Sequence, residues 1–200
     1  MLKQFIMKEK KTFNFIKNRT LWVYLIKFIG VFCICYFGTL AVIGLATPGK
    51  LYSSFIAEYL DYVNWLRTSL LYGTKWLTGI FHYDTYFAGP YVISVKDGSG
   101  IRMVYSCLGI GVMSFWIAFV AANKGSFWKK IKWITGGWVV IWIINVIRLS
   151  LVLAATNGRW KIPLFDHHTW FNIVAYLMIF ILIWLYDRSF KNKILKKIEN

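Results

Sequence analysis

The segment Trp138-Val-Val-Ile-Trp-Ile-Ile-Asn-Val-Ile-Arg148-Leu-Ser-Leu-Val-Leu153 contains a single charged residue, Arg148, in an otherwise almost entirely apolar run. It belongs to a stretch from about Trp133 to Ala155 that is long enough to cross a membrane, because a hydrocarbon core of about 30 Å needs roughly 20 apolar helical residues. Three more segments have the same character. They run from about Leu21 to Leu45, Val104 to Ala122, and Thr169 to Tyr186. The sequence therefore predicts about four transmembrane helices.

The composition of the 200-residue chain argues against a water-soluble globular protein. Hydrophobic residues make up 58% of it and charged residues only 16%, against about 45–50% and 25% in soluble domains. Its three cysteines are too few for a disulfide scaffold. A net charge of +16, together with long apolar and aromatic runs, indicates a cytoplasmic membrane surface. We therefore expect membrane lipids, and no nucleic acid, among the partners.

Positive charge predicts the orientation in the membrane. Fifteen of the 24 lysines and arginines lie in the N-terminal twenty residues, in the loop between the second and third predicted helices, or in the C-terminal tail. Four crossings bring these three regions to one side, and basic residues in short flanks mark the cytoplasmic side. We therefore predict a multi-pass protein of the cytoplasmic (inner) membrane with both termini in the cytoplasm.

The connection between the first and second predicted helices then lies outside the cytoplasm. Its first half, Leu51 to Phe81, has apolar residues at helical spacing and predicts an amphipathic helix lying along the outer leaflet, with Trp65 and Trp76 at headgroup level. Its second half predicts a β-hairpin, in which Tyr91–Val95 and Ile101–Tyr105 are strands around a glycine-containing turn.

These elements define the expected architecture. The fold class is an all-α polytopic membrane protein with about four transmembrane helices, an extracytoplasmic amphipathic helix and a small β-hairpin, in one integral membrane domain of residues 1–200. We assign residues 1–20 to a basic cytoplasmic N-terminus, 46–103 to the extracytoplasmic helix and hairpin, 104–186 to the helices that carry the candidate site, and 187–200 to a basic cytoplasmic tail.

Three reactive side chains are predicted at one depth near the outer face. Cys107 lies about three residues inside the second predicted helix, and Arg148 lies seven residues before the outer end of the third. His168 stands at the outer start of the fourth, with His167 beside it. Arg148 and Asn145 are three residues apart and therefore project from one helix face.

Each side chain also has an ordinary interpretation. A cysteine in an apolar helix is usually an inert small hydrophobe, as we expect for Cys33 and Cys35, and a histidine at an interface is often only an anchor. Arg148 could pair with a lipid phosphate, but an arginine at a helix centre costs roughly 2.5–3.5 kcal/mol and indicates function by default. The His and Cys spacing fits no metal site, and we predict no metal or other cofactor.

Together the three groups indicate covalent chemistry. A cation and an imidazole near a cysteine favour the thiolate, which is the nucleophilic form. The imidazole can accept the thiol proton and later protonate a leaving amine. The guanidinium can stabilise the thiolate or the oxyanion of a tetrahedral intermediate. This combination can open a peptide bond and hold the acyl half as a thioester.

At these residues the chain resembles the exosortase/archaeosortase family of integral membrane proteins. The resemblance rests on Cys107-Leu-Gly-Ile110, Asn145-Val-Ile-Arg148 and the histidine that opens the last helix, and it covers roughly Tyr91 to Tyr186. It implies a cysteine transpeptidase-like activity, with Cys107 as nucleophile, Arg148 as electrostatic partner and His168 as acid/base.

Two positions depart from the family pattern. Leu108 follows the cysteine where the family usually has Ser or Ala. The family histidine is commonly followed four residues on by glycine, and that position is Asn172 counted from His168 or Phe171 counted from His167. The smaller polar residue favours His168, and His167 remains the alternative.

The resemblance also implies partners. Family members are proposed to cut a C-terminal sorting signal, made of a short motif, a transmembrane helix and a basic tail, from exported proteins. The new carboxyl end then passes to an acceptor such as a surface polysaccharide or lipid. Two other hypotheses stay open: a small membrane transporter or accessory subunit that binds an anionic ligand through Arg148, and a purely structural assembly protein.

Overall fold

The computed structural model describes residues 19–49, 51–158, 173 and 176–189. In this part of the chain three helices precede a small sheet, and three more helices follow it. The helices are α1 (Arg19–Ala46), α2 (Ser54–Tyr59), α3 (Tyr62–Ile80), α4 (Ile110–Ala122), α5 (Phe127–Thr156) and α6 (176–189). The strands are β1 (Thr85–Gly89), β2 (Val92–Val95) and β3 (Gly100–Arg102), and a 3₁₀ turn, Tyr105–Leu108, leads into α4.

Two described helices are long and apolar enough to cross a membrane by length and composition. They comprise Leu21–Ala46 of α1 and Phe127–Thr156, the whole of α5. The apolar side chains of α1 face mainly outward: Ile34 is 74% exposed and Ile26 is 67% exposed. Such an apolar outer surface indicates membrane association.

The second predicted span is wrong at its beginning. It was expected to start near Val104, but α4 begins at Ile110 and has only 13 residues, a rise of about 20 Å. Gly109 adopts a left-handed conformation, with φ of 72°, and separates the 3₁₀ turn from α4. Hydropathy does not register this break, because the residues on both sides are apolar. The start of the fourth predicted span lies outside the described residues.

Helix α5 begins earlier than expected, at Phe127 instead of Trp133. The extra turns carry lysines that hydropathy alone places in a loop. The Lys130 Nζ donates a hydrogen bond to the carbonyl of Ala121 at 2.7 Å, in the last turn of α4. A lysine at that position satisfies a carbonyl that the helix leaves unpaired.

The segment predicted as one amphipathic helix forms two, α2 and α3, so the prediction of a single helix is wrong. Residues of α3 belong to the core. The break falls at Leu60 and Asp61, where the Asp61 carboxylate accepts a hydrogen bond from the Asn64 backbone N–H at 3.0 Å and so caps α3. One face of α3 is buried and packs against α5. Trp65 and Trp76 lie on its exposed face.

The contact between α3 and α5 is close. The Trp142 Nε1 of α5 donates a hydrogen bond to the Ser69 Oγ of α3 at 3.0 Å. A methyl group at Gly73 would lie 2.8 Å from the Val146 side chain, so a side chain there would push the two helices apart. Helices α3 and α5 therefore form one packed unit, to which β2 and the 3₁₀ turn contribute the buried Ile93 and Leu108.

The predicted hairpin is confirmed, although its second strand ends at Arg102 and not at Tyr105. The sheet has one strand more than expected. Strands β2 and β3 pair antiparallel with Ile93 opposite Ile101, and β1 pairs antiparallel with the other edge of β2. The pairing of β1 was missed because Gly89 and Pro90 interrupt its pattern. The Asn157 side chain after α5 accepts a hydrogen bond from the Ser99 N–H and donates one to the Ser99 carbonyl, at 2.7 and 3.1 Å. The hairpin turn is thus bound to the end of α5.

A pair of adjacent glycines in α5 tests the packing of α4 on α5. A methyl group at Gly137 would overlap the buried Trp116 indole, whereas one at Gly136 would meet no atom within 4 Å. We expect Gly137→Ala to lower the free energy of unfolding by about 1–3 kcal/mol. Gly136→Ala should be neutral or stabilise by roughly 0.5–1 kcal/mol, because alanine favours the helix. Thermal unfolding in detergent checks this, and equal Tm values for the two variants would contradict the packing.

Candidate functional site

Cys107 projects from a tight turn and not from a helix, which corrects its predicted position. It lies in the 3₁₀ turn Tyr105–Leu108 and its backbone N–H donates to the Val104 carbonyl at 3.0 Å. The residue that ends the turn, Gly109, has a left-handed backbone conformation. This conformation suits glycine, because it costs other residues roughly 1–2 kcal/mol of conformational energy. A methyl group at Gly109 would also lie 2.6 Å from the Asn145 Nδ2. The turn therefore needs glycine both for its conformation and for the approach of α5.

Two side chains of α5 contact this turn. The Asn145 Nδ2 donates a hydrogen bond to the Leu108 carbonyl at 3.3 Å, and the Arg148 Nη2 donates one to the Cys107 Sγ at 3.8 Å. Asn145 and Leu108 are buried, while Cys107 and Arg148 are half-buried. The prediction that Asn145 and Arg148 share one helix face is confirmed by their two contacts with one turn.

The arginine–sulfur contact has an electrostatic consequence. The Arg148 guanidinium brings a positive charge to within 3.8 Å of the Cys107 sulfur, so it attracts an anionic group that approaches this sulfur. It also stands where it can donate to an oxygen bonded to a carbon that the sulfur attacks.

A cavity of about 650 Å³ opens beside this contact, between α1, α4, α5 and α6. Its volume is in the range of about 300–1,000 Å³ typical of ligand sites. Apolar side chains make up most of the wall, and a few polar groups are gathered at the turn. The polar lining consists of Tyr105, Ser106, Asn145 and Arg148, in addition to Tyr36 of α1. The cavity can accommodate an apolar chain whose polar end reaches the turn.

A second cavity, of about 850 Å³, lies between α1, α3, α4 and α5. Cys35 is in its lining, and none of the described residues that line it is charged. Cys107 is not among the described lining residues of either cavity. Among the described residues no three His, Cys, Asp or Glu side chains form a group that could hold a metal ion. Of these two cavities, the first is the one that has a charged residue, Arg148, in its described lining.

Arg67 of α3 is a further charged residue near the turn, and it lies outside the sequence motifs around Cys107, Arg148 and His168. It is 4% exposed, and its guanidinium carbon lies 4.0 Å from the centre of the Tyr91 ring and 3.9 Å from that of Tyr105. Its Nε has no hydrogen-bond partner in the described residues. Each cation–π contact contributes about 0.5–2 kcal/mol. Helical spacing offered a signal, because Arg67 follows the buried Val63 by one turn.

The predicted site residues divide into two groups. Cys107 and Arg148 are in contact. His168 and its alternative His167 lie outside the described residues, as does the start of the helix that carries them. Cys33 and Cys35 are free thiols in the middle of α1.

Comparisons of the chain with protein-family models, with characterised proteins and with solved structures give no match. The functional interpretation therefore depends on the geometry of the turn and on the short motifs around Cys107, Arg148 and His168.

The arginine–sulfur contact can be tested with thiol reagents of different charge. In a chain whose only cysteine is Cys107, the guanidinium should make an anionic methanethiosulfonate react faster relative to a neutral one. We expect Arg148→Met to lower this rate ratio about tenfold, which corresponds to ~1.4 kcal/mol. Arg102→Met, which removes an exposed arginine of β3, should leave the ratio unchanged. An unaltered ratio in Arg148→Met would show that the two groups do not interact.

Proposed function

We propose that this protein is a membrane-embedded cysteine protease/transpeptidase of the exosortase kind. It would cleave a C-terminal sorting signal from exported proteins at the outer face of the cytoplasmic membrane and pass the new carboxyl end to a surface acceptor. The observation that carries the proposal is the 3.8 Å contact between the Arg148 Nη2 and the Cys107 Sγ. The resemblance of the motifs, which predicts these same two residues as partners, supports it.

In the first step the Cys107 thiolate attacks the carbonyl carbon of the scissile peptide bond. A carbon–sulfur bond forms, and the carbonyl electron pair moves to the oxygen. Arg148 donates hydrogen bonds to this oxyanion, which is the role in which a fixed donor typically contributes a factor of about 10²–10³. His168 takes the thiol proton as general base.

In the second step the tetrahedral intermediate collapses. The carbon–nitrogen bond breaks, the imidazolium of His168 gives its proton to the leaving amine, and the acyl half remains on Cys107 as a thioester. An acceptor hydroxyl or amine, or water, then attacks the thioester carbon and loses its proton to the imidazole. The sulfur leaves as thiolate, and the enzyme returns to its starting state.

The surroundings of the turn suit a substrate held in the membrane. The 650 Å³ cavity beside Arg148 is walled mainly by apolar side chains, so it favours a peptide that continues into an apolar segment. A substrate anchored by its own transmembrane helix meets the enzyme at a raised effective concentration. No soluble cofactor takes part in the proposed steps.

The finer membrane topology is part of the proposal. Four crossings by the predicted segments would put the basic N-terminus, the α4–α5 loop and the tail in the cytoplasm. The hairpin and the Cys107 turn would then face outward, where exported proteins arrive. The outward apolar surface of α1 and the length of α5 support a multi-pass arrangement.

The alternative of an anion-binding transporter or accessory subunit is less favoured. Asn145 and Arg148 both line the 650 Å³ cavity, where an anionic ligand can reach them. The same two side chains also contact the turn, Asn145 at the Leu108 carbonyl and Arg148 at the Cys107 thiol. The geometry thus joins the arginine to the cysteine, a relation that simple anion binding does not require.

Replacement of the three cysteines tests the proposed nucleophile. Cys107→Ala and Cys107→Ser should reduce processing of an exported reporter that ends in a motif, a transmembrane helix and a basic tail by about a thousandfold or more, because loss of a nucleophile abolishes the covalent route. Cys33→Ala and Cys35→Ala are matched controls and should process normally. Immunoblots of reporter size and of enzyme in the membrane fraction give the result. Normal processing by both Cys107 variants would rule out the thioester.

The orientation is tested with an impermeant maleimide on intact cells. In a cysteine-free chain, Ser99→Cys in the hairpin turn should be labelled from outside. Lys124→Cys in the α4–α5 loop should be labelled only after permeabilisation. The reverse pattern would place the Cys107 turn on the cytoplasmic side and exclude surface sorting.

A further inference from the structure

We infer that Arg67 is a positioning residue for Cys107, which it holds in register with Arg148 through the ring of Tyr105. The inference rests on the proposed function only in giving Cys107 its role as nucleophile. It concerns a residue that lies outside the motifs on which the family resemblance is based.

Arg67 is connected to the turn through the ring of Tyr105. The guanidinium carbon of Arg67 lies 3.9 Å from the centre of the Tyr105 ring, and Tyr105 is the first residue of the turn that contains Cys107. A planar guanidinium that stacks on a ring restrains both its distance and its tilt. Arg67 therefore restrains the beginning of a turn that reaches the nucleophile two residues later.

Arg67 is itself held in position by a second ring, that of Tyr91. Its guanidinium carbon also lies 4.0 Å from the centre of the Tyr91 ring, and the carbonyl of Tyr91 accepts a hydrogen bond from the Met103 backbone N–H at 2.8 Å. Arg67 thus lies between the start of the hairpin and the segment that leaves it. The two ring contacts thus connect the buried guanidinium to both of these segments.

Arg67 and Arg148 are supported by two helices that pack against each other. Arg67 belongs to α3 and Arg148 to α5, and these helices are joined by the Trp142–Ser69 hydrogen bond and by the close approach at Gly73. The packed pair of helices therefore holds the turn at both ends. Arg67 contacts its first residue, while Asn145 contacts the carbonyl of its last residue. Cys107 lies between these two points, facing Arg148.

Three substitutions at Tyr105 and Arg67 distinguish this positioning role from a general effect on stability. Tyr105→Leu removes the ring, Tyr105→Phe keeps it, and Arg67→Lys keeps the charge but loses the flat stacking group. None of the three changes the net charge of the chain. Arg102→Met, which removes an exposed arginine of the neighbouring strand β3, is the control.

The measurement is the ratio of Cys107 labelling by anionic and neutral methanethiosulfonates, in a chain that lacks Cys33 and Cys35. We expect Tyr105→Leu and Arg67→Lys to lower the ratio about threefold or more, because a displaced turn moves the sulfur away from Arg148. Tyr105→Phe should recover the ratio lost in Tyr105→Leu, and Arg102→Met should leave it unchanged. In the processing assay, the two impaired variants should lower kcat with little change in KM.

A wild-type ratio in both Tyr105→Leu and Arg67→Lys would overturn the inference, as would a Tyr105→Phe variant as impaired as Tyr105→Leu. If Tyr105→Leu fails to accumulate in the membrane, Arg67→Lys decides the question by the same ratio. The labelling needs no substrate. Its result therefore stands apart from the processing test of Cys107→Ala, and failure of one inference is distinguishable from failure of the other.

Discussion

The arrangement of the site depends on one constraint: helix α5 holds the turn before α4 with two side chains spaced by one helical turn. Asn145 donates to the Leu108 carbonyl and Arg148 to the Cys107 sulfur. The constraint requires a chain that reverses tightly at Gly109, because a side chain there would collide with the Asn145 amide. A polar asparagine in a mainly apolar helix is thereby satisfied, and the thiol is placed beside a cation at the wall of an apolar cavity.

The rest of the described fold serves to support that contact. Helix α3 packs on α5, the sheet continues from α3, and Asn157 binds the hairpin turn to the end of α5. The turn that carries Cys107 follows directly from the hairpin, so its position is restrained from both ends. Helix α1 presents most of its apolar surface outward, and it contributes two residues, Tyr36 and Leu40, to the cavity. The described fold thus places the Cys107 turn beside an apolar cavity.

The sequence predicts those features that depend on periodicity and spacing. Helices α1 and α5, the β2–β3 hairpin and the common face of Asn145 and Arg148 all follow from patterns within a few residues. It does not predict the 3₁₀ turn around Cys107, because an apolar run gives the same hydropathy with or without a glycine break. Helical spacing places Arg67 on the same face of α3 as the buried Val63, but it does not reveal the contacts of Arg67 with Tyr91 and Tyr105, which are far along the chain.

The most direct test of the account is to trap the acyl intermediate on the enzyme. Membranes containing the protein and a tethered substrate are quenched in acid, digested, and analysed by mass spectrometry. We predict that the peptide containing Cys107 carries the substrate residues that directly precede the cleaved bond, joined by a thioester that hydroxylamine cleaves. Two results would contradict it. One is efficient cleavage with the substrate fragment attached to another residue, and the other is efficient cleavage with no substrate adduct on Cys107 at any time point.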